Sequence, residues 1–166
     1  MLDCIISSEN FKDLLISGVP FLDVRAEIEF SKGSFPTSTN IPILNDHERQ
    51  IVGTCYKENG KEKAIELAHS LIKGSKKEKR IEAWCEFVIA NPGTHIYCWR
   101  GGLRSKYARD WILASGINIP IINGGFKALR HVILNQITDS ARQVPMIRIG
   151  GKTGTADQPK EGSYSE

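Results

Sequence analysis

Short apolar runs alternate along the chain with longer amphipathic stretches. Five runs are typical of strands and cover residues 4–6, 21–24, 39–41, 94–97 and 119–122. Between them, apolar residues recur at helical spacing. This spacing predicts one helix that follows Ser8 as its N-cap, and four more over residues 61–72, 77–89, 103–114 and 126–137. Strands that alternate with helices predict an α/β fold, in which a mainly parallel central sheet carries helices on both faces.

The carboxyl end of the fourth strand carries the candidate chemistry. That strand is predicted to end at Tyr97, and the next helix to begin near Leu103. Gly101 and Gly102 lie between them and are predicted to let the backbone curl, so that successive N–H groups point inward. These amides, together with the positive end of the helix, would converge on the sulfur of Cys98. Ligands of parallel sheets bind at this edge, which makes the loop a predicted site.

Basic residues accompany the same loop. Arg100 and Arg104 add positive charge close to Cys98, which favours a thiolate over a thiol. Cys98 is therefore the predicted nucleophile, in a loop suited to hold an anionic persulfide, a selenium adduct or a tetrahedral oxyanion. The predicted anion-binding residues are Trp99, Arg100, Gly101, Gly102, Leu103, Arg104 and Ser105. The alternative is a structural cysteine beside an unrelated glycine turn.

Several other side chains have both a functional and a structural interpretation. Asp23 and Arg25 either support the nucleophile's loop or form a structural pair inside the fold. Trp99 either stacks on a base or a lipid chain, or covers apolar surface. Lys127 and Arg130 are weaker candidates for contacts with RNA. A basic run either touches RNA phosphates or, as the preferred interpretation, forms a solvated helix face; it comprises Lys73, Lys76, Lys77, Lys79 and Arg80.

Composition and net charge limit the classes of protein to which this chain could belong. Hydrophobic residues make up 40% of the chain and charged residues 25%, which is the ordinary mixture of a globular protein. The net charge of +3 is too small to predict nucleic-acid binding by itself. No apolar run approaches the roughly 20 residues that span a membrane, and the first residues lack a secretion signal, so a cytoplasmic location is expected. The remaining cysteines, Cys4, Cys55 and Cys85, show no C-x-x-C spacing, so they are interpreted as inert thiols and no metal site is predicted.

Several segments are similar to one known family. The sequence DVRAEIEF at residues 23–30, with GSFP at 33–36, resembles the opening motif of rhodaneses, and CWRGGLRS at 98–105 resembles their active-site loop. With three further segments, the set resembles bacterial tRNA 2-selenouridine synthases. These segments are NIPILNDHER at 40–49, VGTCYK at 52–57 and GGFKALR at 124–130.

The resemblance implies a reaction on the wobble uridine of tRNA. The sulfur of 2-thiouridine is replaced by selenium from selenophosphate through an S-geranylated intermediate, with geranyl diphosphate as co-substrate and no permanently bound cofactor. Cys98 would carry the selenium. The implied domains are a rhodanese-like domain over residues 1–140, the start of a phosphate-loop domain over 141–155 and a disordered tail over 156–166. Because Ala156, Asp157 and Gln158 stand where a phosphate loop has Gly-Lys-Thr, the chain is expected to act on tRNA only within a longer enzyme.

Other functions fit the same loop. A generic rhodanese-type sulfurtransferase needs only the cysteine and its anion-binding loop. A cysteine phosphatase also fits, because Cys98 and Arg104 satisfy its C-x5-R pattern, although Tyr97 stands where such phosphatases usually have His. A non-catalytic interaction module is the third alternative, and the intact Cys98 and Arg104 argue against it.

Overall fold

The computed structural model describes residues 5–6 and 10–143. The described strands are β1 (Ile5–Ile6), β2 (Phe21–Asp23), β3 (Ser38–Asn40), β4 (His95–Tyr97) and β5 (Ile121–Ile122). The described helices are α1 (Phe11–Ser17), α2 (Glu27–Ser31), α3 (Asp46–Leu71), α4 (Ser75–Ala90), α5 (Leu103–Ala114) and α6 (Gly125–Gln143). None of the helices in these residues is both long and apolar enough to cross a membrane.

The strands form one sheet in the order β1-β5-β4-β2-β3, and every pair of neighbours is parallel. β4 lies at the centre, with Ile96 paired to Leu22 on one side and to Ile121 on the other. Because all the strands point the same way, their carboxyl ends share one edge. The residue that follows β4, Cys98, therefore lies at the middle of that edge.

Side chains that alternate along the strands divide the core into two layers. Leu22, Ile96 and Ile121 face the layer covered by α3, α4 and α5. Phe21 and Ile122 face the layer covered by α1 and α6. The predicted α/β fold class, with a parallel sheet between two helical layers, is therefore confirmed.

The predicted helices differ from the structure mainly in extent. Helix α5 has the predicted bounds, and α4 and α6 extend beyond their predicted ranges. Strands β2, β3, β4 and β5 differ from their predicted bounds by one or two residues. The segment predicted over 61–72 is only the second part of α3, which is interrupted at Gly60 with φ of 86°. The first part was missed because most of its side chains are exposed and leave no apolar stripe.

Some predictions fall outside the described residues. These are the strand residue Cys4, the N-cap Ser8, residues 144–155 of the phosphate-loop segment predicted over 141–155, and the tail over 156–166. Helix α1 itself begins at Phe11, which is fully buried against the α6 layer.

Candidate active site

The sulfur of Cys98 lies at the junction of β4 and α5, and its side chain is buried. The backbone N–H of Gly102 donates a hydrogen bond to Sγ at 3.3 Å. The Ser105 hydroxyl lies 3.3 Å from Sγ and also donates to the Gly102 carbonyl at 3.0 Å. A hydroxyl can rotate, so Ser105 is able to donate to the sulfur when the sulfur is anionic. The helix N-terminus thus supplies two potential donors to one sulfur.

The loop differs in detail from the predicted ring of inward amides. Gly101 has a left-handed φ of 62°, but Gly102 has φ of −94°, so the left-handed turn of the loop depends on Gly101 alone of the two glycines. Among the described residues, Gly102 supplies the one backbone N–H that bonds the sulfur of Cys98. The second potential donor to the sulfur is the Ser105 hydroxyl rather than another backbone N–H.

The loop is held against the turn between β5 and α6 by direct backbone contact. The N–H groups of Phe126 and Lys127 donate to the carbonyls of Cys98 and Trp99 at 2.9 and 3.1 Å. A Cβ atom at Gly125 would lie 2.2 Å from the Cys98 carbonyl oxygen. Only glycine permits this approach, so the position of Gly125 fixes where Cys98 stands.

Arg104 is bound to a carboxylate that the sequence interpretation did not assign. Its guanidinium donates to both oxygens of Glu29, at 2.5 and 3.1 Å, although 75 residues separate the two. Burial would lower the pKa of Arg104, but the hydrogen bond and charge of Glu29, with smaller contributions from Cys98 and Asp23, raise it above its ordinary value. Arg104 therefore contributes charge near Cys98 while two of its N–H donors bind Glu29.

Glu29 has further partners of its own. It accepts a hydrogen bond from the Ala26 N–H at 3.1 Å, and Arg49 lies 3.6 Å away. Burial alone would raise its pKa, but Arg104 and these smaller contributions hold the pKa below the ordinary carboxyl value. The one sequence signal for Glu29 was its place in the opening motif, four residues after Arg25.

Asp23 and Arg25 form a fully buried ion pair, with Nη2 and Oδ2 2.6 Å apart. The other guanidinium donors of Arg25 bind the carbonyls of Glu29 at 3.2 Å and Gly33 at 2.8 Å. The guanidinium carbon lies 3.9 Å from the centre of the Phe126 ring. Among the described residues, neither member of the pair is hydrogen-bonded to the Cys98 sulfur. The pair therefore holds the backbone of neighbouring segments in place and has no direct part in the chemistry.

A cavity of about 500 Å³ opens beside the loop. Trp99 stands at its wall and stacks on Phe126, with ring centroids 5.4 Å apart and planes inclined by 29°. Its lining is strongly basic and comprises Glu29, Lys32, Gly33, Trp99, Arg100, Phe126, Lys127 and Arg130. The structure thus brings the predicted residues Trp99 and Arg100 together with Lys127 and Arg130.

A second cavity of about 460 Å³ lies between α3 and α5. Its walls are mainly apolar and include Val52, Ala64 and Ala68 of α3 and Tyr107 and Trp111 of α5. Leu103, predicted as an anion-binding residue, lines this cavity instead of the basic one.

The other candidates take structural positions. Lys76 and Arg80 pair with the buried Glu48, and Lys77 lies 4.3 Å from the centre of the Trp111 ring. Cys85 is partly buried and packs against the core beneath α4. Within the described ranges, no group of three or more His, Cys, Asp or Glu side chains is arranged to hold a metal ion.

Comparison with known proteins yields both full-length relatives and a solved domain. No protein-family model matches the chain. A tRNA 2-selenouridine synthase of Shewanella sediminis is 46% identical over 151 residues, which cover 91% of this chain and 41% of that protein. One of Pseudomonas syringae pv. tomato is 45% identical over 149 residues, which cover 90% and 41%. The chain therefore spans about two-fifths of the length of these relatives.

A solved structure shares the fold. It is the N-terminal domain of a putative ATP/GTP-binding protein from Clostridium difficile 630, with a TM-score of 0.62 and 30% identity. The alignment covers 70% of this chain and 90% of that domain. Most of this chain thus corresponds to a domain that was solved by itself in that protein.

Proposed function

We propose, on the premise that this chain belongs to the tRNA 2-selenouridine synthase family, that it is the cysteine-bearing part of an enzyme that replaces sulfur by selenium in tRNA. The observation that carries this proposal is the sulfur of Cys98, which Gly102 and Ser105 hold at the carboxyl edge beside a basic cavity. Because the chain spans two-fifths of its relatives, the remaining steps are assigned to the rest of such a protein. A cytoplasmic location is proposed for this activity, because tRNA is its proposed substrate.

Cys98 is proposed to carry the transferred chalcogen. With thiosulfate or selenosulfate as donor, the Cys98 thiolate attacks the outer sulfur or selenium atom. A bond forms from Sγ to that atom, its bond to the sulfite sulfur breaks, and sulfite leaves with the electron pair. The product is an anion on the cysteine, which the Gly102 N–H and the Ser105 hydroxyl are placed to stabilise.

In the complete enzyme, selenophosphate is the proposed selenium donor and geranyl diphosphate the co-substrate. The sulfur of 2-thiouridine bonds to the geranyl carbon, and diphosphate leaves. Alkylation improves the leaving group, because sulfur then departs as geranylthiol when selenium bonds to the same ring carbon. Water cleaves the phosphorus–selenium bond and gives phosphate and hydrogen selenide. Selenide is two electrons more reduced than the selenium of a Cys98–S–Se adduct, so Cys98 is proposed to take it up from a disulfide with a small thiol, which leaves as the free thiol. The same thiol reforms that disulfide when it attacks Sγ and releases 2-selenouridine, so the cycle balances without an added oxidant.

A chimera tests the proposal as a whole. Residues 1–143 would be joined to the remaining three-fifths of the Shewanella sediminis relative and expressed in cells that lack the enzyme. We expect 2-selenouridine among the nucleosides of digested tRNA, and its loss in the Cys98→Ser chimera. Equal amounts from both chimeras, or none from a folded chimera with Cys98 intact, would count against the proposal. The unaltered relative is the positive control.

A generic sulfurtransferase is the second candidate, favoured by one observation. The Gly102 N–H and the Ser105 hydroxyl that contact the Cys98 sulfur belong to the same loop and helix start, which favours transfer from thiosulfate by this chain alone. The test is sulfite release from thiosulfate with cyanide as acceptor. The phosphatase alternative is weaker, because two donors of Arg104, which would bind the phosphate, are held by Glu29. Hydrolysis of an aryl phosphate that depends on Cys98 would restore it.

A further inference from the structure

We propose that the basic cavity beside Cys98 is a docking site for single-stranded RNA, in which one base stacks on Trp99 and the adjoining phosphates contact the basic rim. The rim is defined as Lys32, Arg100, Lys127 and Arg130. This inference rests on the proposed function and deepens it, since it assigns the RNA contact to described residues of this chain.

Trp99 is prepared for stacking by the residues behind it. Its side chain is 37% exposed, although an indole normally buries its large apolar surface. Phe126 stacks against it at 5.4 Å, and the guanidinium of Arg25 lies 3.9 Å from Phe126. Arg25 is itself fixed by Asp23 and two carbonyls. An aromatic ring held in this way loses little side-chain entropy when a base stacks on it.

The charges around Trp99 favour an anionic partner. Within the described part of the chain, the side chains of the basic rim form no ion pair, and all four are exposed. Glu29 is the one carboxylate among the cavity's lining residues, and Arg104 neutralises it. The cavity therefore presents uncompensated positive charge beside an aromatic ring.

The arrangement suits a nucleic-acid strand better than an isolated anion. The basic rim comes from three segments, which are the end of α2, the Cys98 loop and the first turns of α6. Cations spread over three segments can contact successive phosphates of one strand, and the aromatic ring among them can stack on a base of the same strand. A base paired inside a duplex cannot offer its face, so the strand must be a loop or an unpaired end. Trp99 directly follows Cys98, so a base on its ring lies against the loop that carries the sulfur.

A binding titration with matched variants tests the site. The probe is a fluorescent RNA stem-loop with 2-thiouridine in the loop, and the protein is the full chain carrying Cys98→Ser to prevent chemistry. We expect Trp99→Ala to weaken binding about 10-fold and Trp99→Phe to retain most of it. The double variant Lys127→Ala/Arg130→Ala should also weaken binding. The control Lys73→Ala/Lys79→Ala removes two exposed charges elsewhere and should change little.

An abasic probe separates stacking from charge. A stem-loop of equal length that lacks the loop base should bind the Trp99-containing protein about 10-fold more weakly than the complete probe. It should bind the Trp99→Ala protein as well as the complete probe does. Equal binding of both probes to the Trp99-containing protein, or complete-probe binding that does not change in Trp99→Ala, overturns the inference. A far-ultraviolet spectrum of each variant establishes that it is folded.

The outcome is distinguishable from failure of the proposed function. Chalcogen loading is measured separately, as a mass gain on Cys98 after incubation with thiosulfate. RNA binding that depends on Trp99, without loading of Cys98, would uphold the docking site and reject the transfer role. Loading of Cys98, together with RNA binding that does not change in Trp99→Ala, would uphold the transfer role and reject the docking site.

Discussion

Two basic regions of this protein have similar charge but different availability. The run on and before α4, comprising Lys73, Lys76, Lys77, Lys79 and Arg80, is the denser of the two in sequence. In the fold, Lys76 and Arg80 pair with Glu48, and Lys77 covers Trp111. The basic rim of the Cys98 cavity is scattered along the chain, yet within the described residues none of its side chains is paired. Density of charge in a sequence therefore does not indicate which charges can bind a ligand.

The difference arises from a buried carboxylate. Glu48 is only 3% exposed and caps α3 through Asn45, so it requires cationic partners inside the fold. Arg80 meets this need at 2.7 Å and also donates to the Ile43 carbonyl at 2.8 Å. At the Cys98 cavity the equivalent carboxylate, Glu29, is already satisfied by Arg104. The rim cations are left for solvent or a ligand.

Removal of Arg80 should have the largest effect on stability. Arg80→Ala leaves Glu48 with the half-exposed Lys76 and leaves the Ile43 carbonyl without its donor. We expect the free energy of unfolding to fall by about 3 kcal/mol, measured by urea denaturation. Arg130→Ala is the matched control and should change it by less than about 0.5 kcal/mol. Equal losses would show that the two regions do not differ as described.

The pH dependence of stability sharpens the same contrast. Burial would raise the pKa of Glu48, but hydrogen bonds from Lys76, the Asn45 N–H and Arg80 outweigh burial and hold its pKa below the ordinary 4.5. A carboxyl with a lowered pKa in the folded state stabilises the fold above 4.5, and this contribution is lost as the pH falls through the folded pKa. Glu48→Gln should therefore be less stable at neutral pH and lose less stability on acidification. A steeper acid transition in Glu48→Gln would contradict this.

Salt dependence measures how many rim charges reach phosphates. The logarithm of the RNA association constant should fall less steeply with the logarithm of salt concentration in Lys127→Ala/Arg130→Ala, by about 1.4 in slope for two contacts with a single strand. The α4 variant Lys73→Ala/Lys79→Ala should keep the original slope. A larger change in the α4 variant would reverse the assignment of the two basic regions.

The smallest expected effect concerns Lys77. Its ammonium lies over Trp111 at 4.3 Å, on the partly exposed surface of α4. Lys77→Ala should reduce the free energy of unfolding by about 0.5 kcal/mol, whereas Lys79→Ala, which makes no such contact, should leave it unchanged. Thermal unfolding of both variants under one condition provides the comparison.

The sequence predicted features that depend on neighbours along the chain. The loop after β4 and the start of α5 at Leu103 follow from a glycine pair between an apolar run and an amphipathic segment. The pairing of Glu29 with Arg104 could not be predicted, because it joins residues 75 positions apart. The first part of α3 was missed for a different reason, since its exposed side chains carry no periodic signal. The sequence therefore predicts the loop that carries Cys98. It does not predict which charged side chains form ion pairs, because those pairs depend on tertiary packing.

The central claim is that Cys98 is the nucleophile that accepts the chalcogen. The most direct measurement is mass spectrometry of the intact chain and of its peptides after incubation with thiosulfate or selenosulfate. The account predicts a gain of one sulfur or one selenium atom on the peptide that contains Cys98, and no gain in Cys98→Ser. Cys55 and Cys85 lie away from the loop and should stay unmodified. Equal modification of these thiols, or none at Cys98, would contradict the account.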